Sequence, residues 1–224
     1  SRLTSNLKNV SAERIQAELV KLLVSQHPDY LRVAYETGIT KEFLPEFDLC
    51  METEQNTPYH CFTVGEHILH SLLYVEADKV LRLTMLLHDI GKEAVSGDLD
   101  DMDAPLIVEE IHYVRLHAQA SYEILKKEGY KETILLAVRH HHENYDGSGY
   151  PDNLSGEAIP LGARIIRVCD VYAALTSDRP YRQAFESQSA VQLMIEEIKD
   201  FDVKVFLAFQ RMIHKNKEKE ITLW

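Results

Sequence analysis

Apolar side chains in this chain recur three and four residues apart and nowhere build a convincing period-two series, so helices must bury its core. Ile15, Leu19, Leu22 and Leu23 share one helical face behind a possible cap at Ser11, and His27-Pro28 ends that helix. Val64, Ile68, Leu72 and Val75 define a second face. Val80, Leu83, Leu86 and Leu87 define a third, which runs into His88-Asp89 and stops at Gly91. A long amphipathic helix is expected over 106–127, with further helices over 131–143, 161–176, 187–199 and 202–216. Two stretches break the pattern. Residues 93–105 hold Asp98, Asp100, Asp101 and Asp103 and read as a solvated acidic loop. Residues 144–160 hold Gly147, Gly149, Pro151, Gly156 and Pro160, a connection long enough to suggest function. The expected class is all-α, and 224 residues at 45% hydrophobic content suffice for one large core or a core with a small appendage.

With 36 acidic against 24 basic residues the net charge is −12, which argues against a broad basic surface for nucleic acid and leaves room for a local basic pocket. No run reaches the roughly 18 apolar residues a membrane span needs, and no charged-then-apolar leader is visible. The chain opens on Ser1 rather than Met, so a fragment boundary is expected there. Cys50, Cys61 and Cys169 fit neither a disulfide framework nor a CxxC metal site, which points to a reducing, cytoplasmic setting. The histidines are the anomaly: nine of the eleven fall between residues 60 and 142. That clustering asks for a functional cause.

His88-Asp89 closes an apolar helix and offers a neutral nitrogen beside an anionic oxygen, both good ligands for a transition metal. A carboxylate has two oxygens, so Asp89 is also able to bridge two cations. Lys92, one turn on, is placed to meet a phosphate. His117, His141, His142 and Asp170 are too far apart for a zinc-finger spacing, so any shared site must form by convergence of separate helices.

HDIGK at 88–92, HHENYDGSGYP at 141–151 and DVYAALTSDRPYR at 170–182 resemble the HD-GYP branch of the HD phosphohydrolase superfamily, over about residues 60–210. The resemblance implies an HD-domain helical bundle holding two, sometimes three, transition ions, and mixed imidazole and carboxylate ligands suit Mn, Fe, Ni or Zn. By that resemblance His67, His88, Asp89, His117, His141, His142 and Asp170 match metal ligands, with Asp89 the bridge and Lys92 the phosphate-contacting lysine. Gly149, Tyr150 and Pro151 match the loop beside the site, and Arg179 and Arg182 match positions that meet substrate phosphates. For the first ligand, His70 and His60 compete with His67. Three-metal members of the family carry a glutamate where this chain has Thr63, which favours two ions. Ala173 stands where the family usually has a second acidic residue, a change at the edge of the site.

Upstream, Val10–Ile15, Glu18-Leu19, Gly38, Leu44-Pro45-Glu46, Gln55-Asn56, Tyr59-His60 and Val64–His67 resemble the C-terminal part of bacterial tRNA nucleotidyltransferases that carry an HD domain. The expected organisation is therefore a small N-terminal helical segment over 1–58, an HD/HD-GYP domain over 59–216 and a tail over 217–224. The expected activity is metal-dependent hydrolysis of a nucleotide or cyclic dinucleotide phosphodiester, with Asp89 and Lys92 in the catalytic roles. The alternative is an RNA-holding body with little hydrolase activity. Expected partners are the nucleotide substrate, with tRNA or RNA ends and a homodimer as further candidates, and no membrane.

Overall fold

The computed structural model describes residues 7, 9–53, 63–92, 94, 107–178 and 182–222, with side chains left out over 107–114 and 216–222. Ten α-helices occur among the described residues, and no strand. They are α1 (Ala12–Leu23), α2 (Leu31–Glu36), α3 (Pro45–Glu52), α4 (Val64–Leu72) and α5 (Lys79–Leu87), then α6 (Ile107–Lys127), α7 (Glu132–Arg139), α8 (Leu161–Leu175), α9 (Ser187–Glu196) and α10 (Val203–Thr222). None of the described helices is long and apolar enough to cross a membrane.

Local chemistry explains several boundaries. Thr63 caps α4, its hydroxyl accepting from Glu66 N at 3.2 Å. Asp78 caps α5 by accepting from Val80 N and Leu81 N at 2.8 and 3.0 Å. The α5 face differs from the sequence expectation: Val80 is 38% exposed, while Arg82, Thr84, Met85, Leu86 and Leu87 are buried. This helix packs against α1, α4, α7 and α8, which covers most of its sides as it reaches His88. The helix over 131–143 stops earlier, at Arg139, which leaves His140–His142 in a turn. The last helix continues past the expected end at 216 to Thr222.

Helix α8 is the axis of the bundle, packing against α4, α5, α7, α9 and α10. Its buried Ala163, Ile166, Val168, Cys169, Tyr172 and Ala173 place apolar surface toward those neighbours, and Asp170 lies buried among them. Fully burying a side chain such as Ile166 contributes about 2 kcal/mol, so an acid is tolerated there only with strong partners. The N-terminal helices join the same core, with Leu23, Leu31, Phe47 and Cys50 in one buried cluster with Ile68, Met85 and Ile166. The boundary expected at 58/59 lies outside the described residues, as do Cys61 and the acidic loop at 98–103.

Arg82 ties that segment on. Its buried guanidinium donates to Leu23 O at 2.7 Å, Ser25 O at 3.1 Å and Val75 O at 2.9 Å. Arg82→Ala leaves these carbonyls short of a donor and opens a void, so it is expected to cost about 3 kcal/mol. The midpoint of urea unfolding reads this directly. A midpoint unchanged from the parent would show that water replaces the guanidinium at no cost.

Candidate metal centre and active site

Five elements deliver the site. His67 comes from α4, His88 and Asp89 from the turn after α5, His117 from α6, His141 and His142 from the turn after α7, and Asp170 from α8. Asp89 lies at the middle. Its Oδ1 is 3.3 Å from His117 Nε2 and 3.7 Å from His141 Nε2. Its Oδ2 is 3.4 Å from His88 Nε2, 3.9 Å from His67 Nε2 and 2.6 Å from Lys92 Nζ. Asp170 Oδ1 closes the second side, 2.7 Å from His67 Nε2 and 3.6 Å from His88 Nε2. His142 Nε2 faces His117 Nε2 at 3.1 Å, and His117 Nε2 faces His141 Nε2 at 3.3 Å.

Two groups of ligand-type atoms are thus each tight enough to hold an ion: Asp89 with His117, His141 and His142, and Asp89 with His67 and His88. Asp89 belongs to both. The tautomers suit cation binding, because His88 Nδ1 donates to Met85 O at 2.7 Å and His141 Nδ1 to Val138 O at 2.6 Å. That leaves each Nε2 lone pair turned inward. His88 Nε2 and Asp89 Oδ1 are buried without a hydrogen-bond partner, a costly arrangement that a cation at either group would relieve.

The charges agree with that use. Burial draws the His141 imidazole down to about 4, and burial with the neighbouring His141 and His117 holds His142 well below its usual range. Burial works against ionisation of Asp89 and Asp170, yet the facing imidazoles, and Lys92 for Asp89, keep both carboxyls well below the ordinary range. Neutral imidazoles at His141 and His142 beside ionised carboxylates are protonation states that metal ligation requires. At His88 burial is outweighed by the facing Asp89 and Asp170 carboxylates, which raise the imidazole and favour a proton that a cation would displace.

Of the competitors for the first position, His70 turns away: its Nδ1 is 2.8 Å from Ser177 Oγ and its Nε2 is 3.3 Å from Tyr74 Oη. His60 lies outside the described residues. Thr63 is occupied as the α4 cap.

A family model described as HD domain matches residues 69–205. The chain belongs to the HD-domain family. A second model, described as "Probable RNA and SrmB- binding site of polymerase A", matches residues 1–51. Among curated proteins, the HD domain is similar to a cyclic di-GMP phosphodiesterase of Pseudomonas aeruginosa, 41% identical over 58% of this chain and 32% of that protein. It is 40% identical to the cyclic di-GMP phosphodiesterase response regulator RpfG of Xanthomonas campestris over 52% of this chain and 31% of that protein. A 3′3′-cGAMP-specific phosphodiesterase of Vibrio cholerae is 36% identical over 66% of this chain and 32% of its own length. The matched region therefore spans about a third of each of these relatives.

Within the HD domain, Gly91 does not stop α5, which already ends at Leu87. A Cβ at Gly91 would lie 2.4 Å from Ser121 N and 2.7 Å from His117 O, so the His-Asp turn is pressed against the α6 backbone. Ser121 fastens the contact, accepting from Gly91 N at 2.8 Å and donating to His88 O at 3.0 Å. Gly149 is likewise a close-approach position, where a Cβ would lie 2.2 Å from Asn144 N. The loop it belongs to is held by Glu143, a buried carboxylate that accepts from Asp152 N at 2.7 Å and Leu154 N at 3.1 Å. Tyr150 then stacks on His142, with ring centroids 4.8 Å apart, ahead of Pro151.

Arg182 is not turned to this cluster. Its guanidinium donates to Leu175 O, Ala174 O and Gln183 O and packs over Phe185, capping the carbonyl end of α8. Arg179 lies outside the described residues. Sequence reading passed over two other basic side chains near the loop, Arg115 and Arg167. Arg115 is over the Tyr150 ring at 5.3 Å, and Arg167 donates twice to Asn144 Oδ1, at 3.2 and 2.9 Å. Arg115 stands two residues before His117, and Arg167 three before Asp170; that adjacency was the available signal.

Proposed function

We propose that this HD domain is a metal-dependent phosphodiesterase acting on a cyclic dinucleotide. The observation that carries the reading is the Asp89 carboxylate, with one oxygen toward His117 and His141 and the other toward His88, His67 and Lys92. His67, His88, Asp89 and Asp170 would hold one divalent ion, and Asp89, His117, His141 and His142 the other, of the Mn, Fe, Ni or Zn type. Such ions supply Lewis acidity and hydroxide at neutral pH. Asp89 fixes the spacing of the two groups, and Lys92 neutralises a phosphoryl oxygen as negative charge grows there. Gly149, Tyr150 and Pro151 form the wall beside them, with Tyr150 fixed against His142. Two ions rather than three fit the capping role of Thr63. The substrate class rests on relatives that are named for cyclic di-GMP and 3′3′-cGAMP. A cytoplasmic setting is part of the reading, supported by buried cysteines on separate elements, Cys50 on α3 and Cys169 on α8.

A second reading, in which the N-terminal helices hold tRNA or other RNA ends, draws on the match over residues 1–51. Charge opposes it: that stretch has six basic side chains against seven acidic ones, and Arg32 is bound to Glu66.

The test is metal analysis of the purified protein, then turnover of cyclic dinucleotides, cyclic mononucleotides and tRNA ends with Mn and with chelator. We expect bound transition metal and chelator-sensitive hydrolysis of a cyclic dinucleotide. Absence of transition metal, or turnover that survives its complete removal, would overturn the reading.

A further inference from the structure

Arg115 is an exposed arginine at the edge of the site, and among the described residues its guanidinium forms no ion pair. That is notable in a chain with 36 acidic residues and 24 basic ones. Its one described contact is with the Tyr150 ring, 5.3 Å from the centroid. A cation over a ring is held by the ring's quadrupole while N–H groups of its planar fork stay available to an oxyanion. Tyr150 is itself fixed, one stacked-ring step of 4.8 Å from His142. His142 is in turn 3.1 Å from His117 through their Nε2 atoms. Arg115 is thereby set beside the His117–His141–His142 group by a chain of ring contacts, whereas Lys92 sits at Asp89 Oδ2, the oxygen that faces His88 and His67.

Arg167 strengthens the same side. It reaches from α8 to Asn144 Oδ1 with two donors, and its charge acts on both His142 and Tyr150. Two guanidiniums therefore flank one tyrosine next to the centre. Lys92 already provides the positive charge at the Asp89 side, so a guanidinium beyond Tyr150 is superfluous for a substrate with a single phosphate.

We propose that Arg115, backed by Arg167, forms a second anion-binding position that takes the phosphate not being cleaved and so selects substrates with two phosphodiester groups. The inference rests on the phosphodiesterase reading above and adds a specificity-determining residue to it. A planar, donor-only fork matches a phosphate's oxygen pair, and its attraction does not depend on which base the nucleotide has.

The experiment compares parent, Arg115→Ala and Arg115→Lys on bis(p-nitrophenyl) phosphate, with one phosphate, and on cyclic di-GMP and cyclic di-AMP, with two. For Arg115→Ala, the ratio of kcat/KM for either cyclic dinucleotide to that for the one-phosphate ester is expected to fall about tenfold. The loss should be expressed in KM, with partial recovery in Arg115→Lys. The salt dependence of KM for the cyclic substrates should flatten by about one ion. Equal losses on all three substrates would overturn the proposal, because Arg115 would then only be positioning His117 or the loop. A loss confined to cyclic di-GMP would also overturn it, assigning Arg115 to a guanine edge. If the parent hydrolyses none of these, the phosphodiesterase reading fails on its own. Anisotropy of a fluorescent cyclic dinucleotide then decides the matter separately: about tenfold weaker binding to Arg115→Ala sustains the proposal, and equal binding ends it.

Discussion

Asp89→Ala is expected to lower metal-dependent phosphodiester turnover by at least about a thousandfold, the scale seen when a preorganised charge at a reacting centre is removed. The reason lies in its two oxygens, each within 3.3–3.9 Å of a different pair of imidazoles. Among the described residues, Asp89 is the one ligand-type side chain that belongs to both groups. Asp170 approaches only His67 and His88. The substitution also leaves Lys92 without its carboxylate at 2.6 Å, so the phosphate-side charge loses its anchor. Turnover with Mn and metal content by mass spectrometry should fall together. Hydrolysis by Asp89→Ala at the parental rate would remove Asp89 from the mechanism.

Gly91→Ala is the second large effect, and it acts through packing alone. The added carbon meets backbone atoms of α6 at 2.4 and 2.7 Å, which no side-chain rotation relieves. Overpacking of this kind costs about 1–3 kcal/mol and more where backbone must move. Here the movement is directed: the atoms struck are Ser121 N and the carbonyl of His117 itself. The turn bearing His88 and Asp89 must separate from the helix bearing His117, and the 3.3 Å approach of Asp89 Oδ1 to His117 Nε2 opens. Loss of stability in urea with loss of metal affinity is the expected pair of results. Ser121→Ala serves as the milder comparison, since it removes the hydroxyl bridge without a clash. Parental stability and metal content in Gly91→Ala would refute the close approach.

The sequence made some of this visible and hid the rest for physical reasons. Helical faces such as Val64–Ile68–Leu72 were legible because burial imposes a period, and all three residues are buried. His88, Asp89, His117, His141, His142 and Asp170 were legible as a set because their types and the Gly-Tyr-Pro stretch match a family pattern, and the structure gathers them. His67 over His70 was not decidable from spacing, since both lie on α4 about one turn apart; only the fold shows one facing Asp170 and the other Ser177. Gly91 misled because a glycine after a helix usually ends it, whereas close approach leaves no local trace in sequence. Arg182 shows a different limit: an arginine in a substrate-contacting motif position cannot be told, on paper, from one whose guanidinium bonds the carbonyl end of a helix, as this one does. The hold of Glu143 on the loop and the contact of Arg115 with the Tyr150 ring come from loop geometry that no periodicity encodes.

Arg82 holds the N-terminal helices through main-chain oxygens, at Leu23 and Ser25, and is braced by a third at Val75 after α4, not through any side chain. Every amino acid presents that carbonyl. These hydrogen bonds are therefore indifferent to the side chains of the residues they grip; burial, not the grip, is what holds Leu23 and Val75 apolar. What the grip does constrain is the path of the chain: an insertion or deletion along the 23–25 turn shifts two of the three acceptors at once. Homologous chains should keep the length of this joint and an apolar residue at the buried Leu23 position while the side chain at Ser25 varies, an asymmetry that an alignment of relatives carrying both segments makes easy to see.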